Sequence, residues 1–205
     1  MPVRVKICGI TRVADVVAAV AAGADAVGFV FTPRSKRFMT AAEAKILAHE
    51  VPAFVSRVGL FMDQDAAEVT GVLEQVPLSL LQFHGNEDAA FCRQFGLPYL
   101  KAVSMVSGQD AAVAGETFHD AAGLLFDSHE PGGAGGTGHV FDWSGIPHTG
   151  RPLVLAGGLT PANVASAVQQ VKPWAVDVSS GVEDAPGRKN AAKMQTFIKE
   201  AKREY

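Results

Sequence analysis

Eight short runs rich in β-branched and other apolar residues alternate with alanine-rich amphipathic runs along the chain, and no other feature restricts the fold as strongly. The strand-like runs are residues 3–7, 26–31, 54–61, 79–83, 99–103, 123–126, 152–155 and 175–178. Several are almost continuously apolar, as strands covered by helices on both faces should be. Between them, Val13, Val16, Val17 and Val20 fall at helical spacing and stop at Gly23. Thr40, with Glu43 three residues on, has the form of a capping box. Residues 66–75, 86–95, 161–171 and 190–202 carry helical patterns, and 104–121 carries a weaker one. Strict βα alternation implies a parallel sheet. Eight strands with no break in composition predict an α/β fold, a single-domain (β/α)8 TIM barrel over residues 1–205. The chain is shorter than the ~250 residues typical of that fold, so its helices and loops must be compact. The competing architecture is an open, doubly wound sheet.

Several function classes have little support. The chain is 48% hydrophobic and 19% charged, which suits a packed core rather than disorder. A net charge of −3 gives no overall attraction to nucleic acid or an anionic membrane. The longest apolar stretch, after Val16, is interrupted by Gly23 and Asp25 and does not span a bilayer. The first residues lack the apolar core of a signal peptide, and a cytoplasmic protein is the simplest expectation. Cys8 and Cys92 make no disulfide framework, and no CxxC or HExxH spacing supports zinc. No Walker A sequence is present. The segment 131–138 is dense in glycine but does not open a helix in a Rossmann unit, so it reads as a surface loop or as a lid over a ligand.

In a (β/α)8 barrel the chemistry sits at the C-terminal ends of the strands. That rule selects Cys8 after strand 1, the cations Arg34, Lys36 and Arg37 after strand 2, and His84 after strand 4. It also selects Lys101 on strand 5, Asp127 after strand 6, and Asp177 on strand 8. A cysteine at the end of a strand is most often a small buried hydrophobe. Its rim position, and the room that Gly9 leaves beside it, make Cys8 a candidate base once a cation lowers its pKa. Cys92 sits in a helical pattern and reads as structural. Asp127 directly follows Leu124-Leu125-Phe126. It is either a turn cap or a carboxyl whose partial burial lets it carry a proton as a general acid. An arginine in the strand 2 loop could hold a substrate carboxylate, or the loop could simply be solvated. His84, Lys101 and Asp177 could support the site from behind or serve only packing.

The anion signals are more specific. Gly157-Gly158 follows strand 7, and Ser179-Ser180-Gly181 follows strand 8. Barrels often bind phosphate on these two loops through backbone N–H groups. Either loop alone could be a tight structural turn. Both together point to a phosphorylated small molecule as ligand.

At these residues the chain resembles the phosphoribosylanthranilate isomerase family. The motifs that carry the resemblance are Lys6-Ile7-Cys8-Gly9-Ile10-Thr11, Gly23 to Phe29, Pro33-Arg34-Ser35-Lys36-Arg37 and Gln82-Phe83-His84-Gly85. They continue with Gly135-Gly136-Thr137-Gly138, Phe141-Asp142-Trp143, Ala156-Gly157-Gly158-Leu159 and Asp177 to Glu183, in order over nearly the whole chain. The resemblance implies an Amadori rearrangement in tryptophan biosynthesis, with no metal or organic cofactor. It implies that Cys8 is the general base, Asp127 the general acid and Arg37 the residue that holds the anthranilate carboxylate. A related barrel isomerase of histidine synthesis, a thiamin phosphate synthase-like transferase and a non-catalytic phosphosugar-binding barrel are the alternatives. Cys8 argues against the histidine enzyme, for which two aspartates would be expected. The sequence does not specify the oligomeric state.

Overall fold

The structure is a computed structural model that describes residues 2–105, 111–127 and 150–203. Its strands are β1 (Arg4–Cys8), β2 (Ala26–Val30), β3 (Ser56–Phe61), β4 (Leu80–Phe83), β5 (Tyr99–Ser104), β6 (Gly123–Asp127), β7 (Leu153–Leu155) and β8 (Ala175–Val178). All pair in parallel with their sequence neighbours, and β8 returns to pair with β1 from Arg4↔Ala175 to Ile7↔Val178. The sheet therefore has no open edge, which excludes the doubly wound alternative. Around it pack α1 (Val13–Ala21), α2 (Ala41–His49), α3 (Ala66–Leu73), α4 (Ala89–Arg93), α5 (Ala111–Thr117), α6 (Val164–Val171) and α7 (Ala191–Ala201). Between β8 and α7 lie a 3₁₀ turn, Ser180–Val182, and a small antiparallel pair, β9 (Glu183–Ala185) with β10 (Arg188–Lys189).

Side-chain alternation divides the interior in two. Val5, Ile7, Val27, Phe29, Leu124, Phe126, Val176 and Val178 point outward and pack under the helices in the larger core. Leu100, Leu125, Val154, Ala156 and Ala175 fill the barrel itself. On the inward face of the same strands, one or two residues further on, the apolar plug gives way to Lys6, Cys8, Asp127 and Asp177. The outer core holds a train of rings, with Phe31, Phe61 and Phe83 at centroid spacings of 5.3 and 6.1 Å.

The capping box at Thr40 forms in both directions: the Glu43 N–H donates to the Thr40 hydroxyl and the Thr40 N–H to the Glu43 carboxylate. Element ends depart from the sequence pattern where turns intervene. β3 begins at Ser56 rather than at residue 54, because residues 52–55 close a turn from the Val55 N–H to the Pro52 carbonyl, which leaves Phe54 fully exposed. α4 is shorter than the 86–95 pattern, since Asp88 caps it through the Phe91 N–H. The Glu87 carboxylate before it is committed to the Asp63 and Gly85 N–H groups. The glycine segment 131–138, expected as a surface loop or lid, and the Phe141-Asp142-Trp143 motif lie outside the described residues.

Candidate active site

At the C-terminal end of the barrel a cavity of about 850 Å³, including its open mouth, is ringed by strand ends. That is room for a small metabolite. Cys8 from β1 and Asp127 from β6 both line it. In the closed order β7 and β8 separate these strands on one side and β2 to β5 on the other, so the two side chains come from opposite parts of the ring. Arg34 and Arg37 reach it from the β2 loop, His84 from the β4 end, Gly157 and Gly158 from the β7 loop, and Asp177 with Ser179-Ser180-Gly181 from β8. Lys36 is exposed and is not part of the wall. Lys101 is buried but points outward from β5. Its ammonium donates to the Gly85 carbonyl and pairs with Glu87 at 3.0 Å, which fixes the turn that follows His84.

Around Cys8 the surroundings combine burial with charge. The Lys6 ammonium pairs with the Asp177 carboxylate at 2.9 Å and lies within hydrogen-bonding reach of the sulfur. Burial pushes the Cys8 thiol up, Lys6 pulls it down and Asp177 pushes it up again; the net displacement is upward. Gly28 on the neighbouring strand makes this arrangement possible. A Cβ there would sit 3.0 Å from the Cys8 sulfur and 3.2 Å from the Lys6 nitrogen. Cys92, by contrast, is a fully buried core residue of α4, packed between the helix and the barrel, whose thiol burial pushes up to about 12.

Across the mouth, Gln82 and His84 lie two residues apart on the inward face of β4. Gln82 Nε2 is 3.1 Å from His84 Nδ1, and His84 Nε2 is 3.5 Å from Asp127 Oδ2. Gln82 is fully buried, and its Oε1 has no hydrogen-bond partner among the described residues.

The third wall is made by the loops after β7 and β8. Gly157 and Gly158 both adopt left-handed backbone, with φ of 81° and 64°, a pair of conformations that β-carbon-bearing residues resist. Asn163 pins this loop by accepting from the Thr160 N–H at 2.7 Å and donating to the Gly158 carbonyl at 3.0 Å. Gly181 presses so closely on it that a Cβ would fall 1.9 Å from the Leu159 carbonyl oxygen. The β7 loop and the short 3₁₀ turn after β8 thus pack together into one patch of the cavity wall.

Arg37 is buried and held by a two-pronged contact, Nε and Nη2 to the two Glu183 oxygens at 2.8 and 2.6 Å. Lys189 adds a second cation to Glu183 at 2.7 Å and donates to the Ser179 carbonyl at 3.1 Å. The room at Gly9 is taken by Arg37 rather than left for a ligand, since a Cβ there would lie 2.3 Å from Arg37 Cδ. Arg34 is exposed at the rim of the same wall. Among the described residues, the charged side chains that line the cavity are Arg34, Arg37, Asp127 and Asp177, with Lys6 paired to Asp177 and Lys189 to Glu183 behind them. Among the described residues no group of three or more His, Cys, Asp or Glu is placed to hold a metal ion, and no helix is long and apolar enough to cross a membrane.

Lys6, Gln82 and Glu183 fall within the motifs quoted above but are not among the selected site residues, and neither is Lys189. Lys6 and Gln82 carried a usable signal, since each is a polar residue two positions before a selected rim residue and so on the same strand face. For Glu183 the sequence does not reveal the main partner, since Arg37 lies 146 residues away along the chain.

Known proteins extend this picture. The family model described as N-(5′-phosphoribosyl)anthranilate (PRA) isomerase matches residues 5–200. The chain is 52% identical over 196 residues to the N-(5′-phosphoribosyl)anthranilate isomerase of Acidithiobacillus ferrooxidans, covering 96% of both chains. It is 54% identical over 203 residues to that of Thiobacillus denitrificans, covering 98% of this chain and 99% of the relative. The crystal structure of the Thermotoga maritima phosphoribosyl anthranilate isomerase superposes with a TM-score of 0.87 at 42% identity over 98% of each chain. A further isomerase structure, 40% identical with a TM-score of 0.82 and 98% coverage of each, was solved in complex with reduced 1-(o-carboxyphenylamino)-1-deoxyribulose 5-phosphate. With a family model over most of its length and close relatives over nearly all of it, the chain belongs to the N-(5′-phosphoribosyl)anthranilate isomerase family.

Proposed function

We infer that this chain is the isomerase for which its family is named, converting N-(5′-phosphoribosyl)anthranilate to 1-(o-carboxyphenylamino)-1-deoxyribulose 5-phosphate in tryptophan biosynthesis. One observation supports the assignment of roles: a thiol and a carboxyl, far apart in sequence, line one cavity together with the glycine loops that follow β7 and β8. The substrate has an anion at each end, a phosphate and an anthranilate carboxylate, with the reacting ribose between. Gly157, Gly158, Ser179, Ser180 and Gly181 take the phosphate. Arg37, with its fork fixed by Glu183, takes the carboxylate. Fixing both ends places the sugar between the reacting groups, and such positioning can supply ~7–11 kcal/mol of a barrel enzyme's barrier reduction.

Asp127, starting protonated, gives its proton to the furanose oxygen as the C1′–O bond breaks and the anthranilate nitrogen, keeping its hydrogen, becomes a protonated imine. The imine withdraws electrons from C1′, so the C2′ proton becomes acidic. Cys8 thiolate takes that proton, and the Lys6 ammonium beside the sulfur stabilises the thiolate. The enolamine then ketonises to the product. In that last step the Asp127 carboxylate takes the 2′-hydroxyl proton and the Cys8 thiol returns its proton to C1′, so both groups regain their starting states and no co-reactant is consumed. Both thiols are buried and unpaired, which suits a cytoplasmic enzyme.

The test is turnover followed by loss of phosphoribosylanthranilate fluorescence, with the histidine-pathway substrate run in parallel. Wild-type enzyme should convert the first. Cys8→Ala and Asp127→Asn should each lower kcat by about 10²- to 10⁴-fold, the usual worth of a positioned proton-transfer group, with KM changed far less. Near-normal turnover in either variant would remove that residue from its role.

A further inference from the structure

Asp127, as general acid, has one proton and two oxygens, and only one oxygen can be aimed at the sugar. We propose that His84 is the positioning residue for Asp127: held by Gln82 as its Nε2–H tautomer, it occupies Oδ2 and leaves the acidic proton on Oδ1. This inference rests on the role given to Asp127 above.

The direction of the hydrogen-bond chain follows from the proton inventory. A carboxylic acid that donates through one oxygen can only accept at the other. The group facing Oδ2 is His84 Nε2, 3.5 Å away. Side chains around a reacting group are often this far apart until substrate fills the site. Nε2 must therefore carry the hydrogen. In a neutral imidazole Nδ1 must then accept, and the group facing Nδ1 at 3.1 Å is the Gln82 amide nitrogen, a donor. All three groups agree on one orientation. With the Gln82 amide reversed, Nδ1 would carry the hydrogen, Nε2 would accept, and the Asp127 proton would be drawn to Oδ2, away from the substrate.

Two features show that the chain is built. Gln82 is fully buried and His84 half-buried, so the amide has no other conformation open to water. Burying Gln82 Oε1 without a partner costs stability, on the order of 1–3 kcal/mol. A leucine at this inward position, between Leu60 and Leu100 in register, would avoid that cost. The amide is therefore kept for what its nitrogen does. The turn after His84 is also fixed, by the Lys101 and Glu87 contacts to Gly85.

The readout independent of activity is the tautomer. Long-range ¹H–¹⁵N correlation spectra of the wild-type enzyme should show the His84 ring protonated at Nε2 and bare at Nδ1, its signals assigned by their loss in His84→Gln. In Gln82→Met the ring should lose this single preference. In kinetics, His84→Leu should lower kcat by about 10- to 100-fold with KM little changed, as losing an orienting partner behind a reacting group does. His84→Gln, which places an amide N–H near the Nε2 position, should recover most of that loss. Protonation at Nδ1 in the wild type, unchanged kcat in His84→Leu, or equal impairment of the Leu and Gln variants would each overturn the proposal. Asp127→Asn, assayed alongside, separates the two levels. If it retains turnover, the acid assignment itself has failed; if it is inactive while His84→Leu is normal, only the role of His84 has failed.

Discussion

A thiol acts as a base only while ionised, and at Cys8 opposing forces set how much thiolate exists. Burial raises the pKa, the Lys6 ammonium lowers it, and the balance stays above the ordinary value. The sign of the pH dependence follows: the thiolate fraction, and with it kcat/KM, rises as pH increases past neutrality. Removing Lys6 should move that rise to higher pH, each unit of displacement lowering the thiolate fraction at neutral pH about tenfold. Lys6→Met alone would strand the buried Asp177 carboxylate. The comparison is therefore Lys6→Met/Asp177→Asn against Asp177→Asn, with kcat/KM measured from acid to alkaline pH. Superimposable profiles would mean that Lys6 serves the barrel seam and not the sulfur. Gly28 bears on the same point, since a methyl group there would press on both partners at once.

At the scale of elements, the anion role proposed for the β7 and β8 loops requires that they touch, and Gly181 lets them. Gly181→Ala would place a carbon 1.9 Å from the Leu159 carbonyl oxygen, so the loops must separate. The expected result is a KM raised by about 10- to 100-fold, in line with losing a charge-assisted hydrogen bond or two, with kcat less affected. Inhibition by inorganic phosphate should weaken in parallel; a change in kcat alone would count against a phosphate role for these loops. That these two loops share one wall was legible in the sequence because the signal is local: glycines follow two strands in the order the fold requires. The strands were legible for a similar reason. In Leu124-Leu125-Phe126-Asp127 the two-residue period alone puts Leu125 and Asp127 on the inner face and Phe126 under the helices. Legibility failed where a side chain competed with the pattern. Glu87 and Asp88 look like the first turn of a helix but are spent on capping and on neighbouring N–H groups, which delays α4 to Ala89. It failed again at Glu183, because nothing near that residue in sequence reveals the arginine it holds across the barrel mouth.

For the molecule as a whole, closing the barrel brings the first and last strands together, and the charges at that seam link stability to function. Lys6–Asp177 joins β1 to β8, and Glu183 ties the β2 loop, through Arg37, to the β9–β10 pair, through Lys189. Burial pushes the Glu183 carboxyl up, but Arg37 and Lys189 pull it down by more, so it lies below its ordinary value of 4.5. A carboxyl depressed in the folded state contributes stability that is fully present above its unfolded value and is lost as pH falls through the folded one. Glu183→Gln removes that contribution and leaves two buried cations without their anion, a loss on the order of 3–5 kcal/mol at neutral pH. Urea denaturation of wild type and Glu183→Gln should therefore show a wide, constant gap near neutrality. Below about pH 4.5 the gap should narrow as the wild-type carboxyl takes up its proton. A gap that ignored pH would mean that Glu183 stabilises by packing alone. In that case the Arg37 fork would owe its place to the room at Gly9 rather than to charge, and Glu183→Gln should leave the KM for substrate unchanged; if charge holds the fork, the same variant should raise KM even at pH values where it is fully folded.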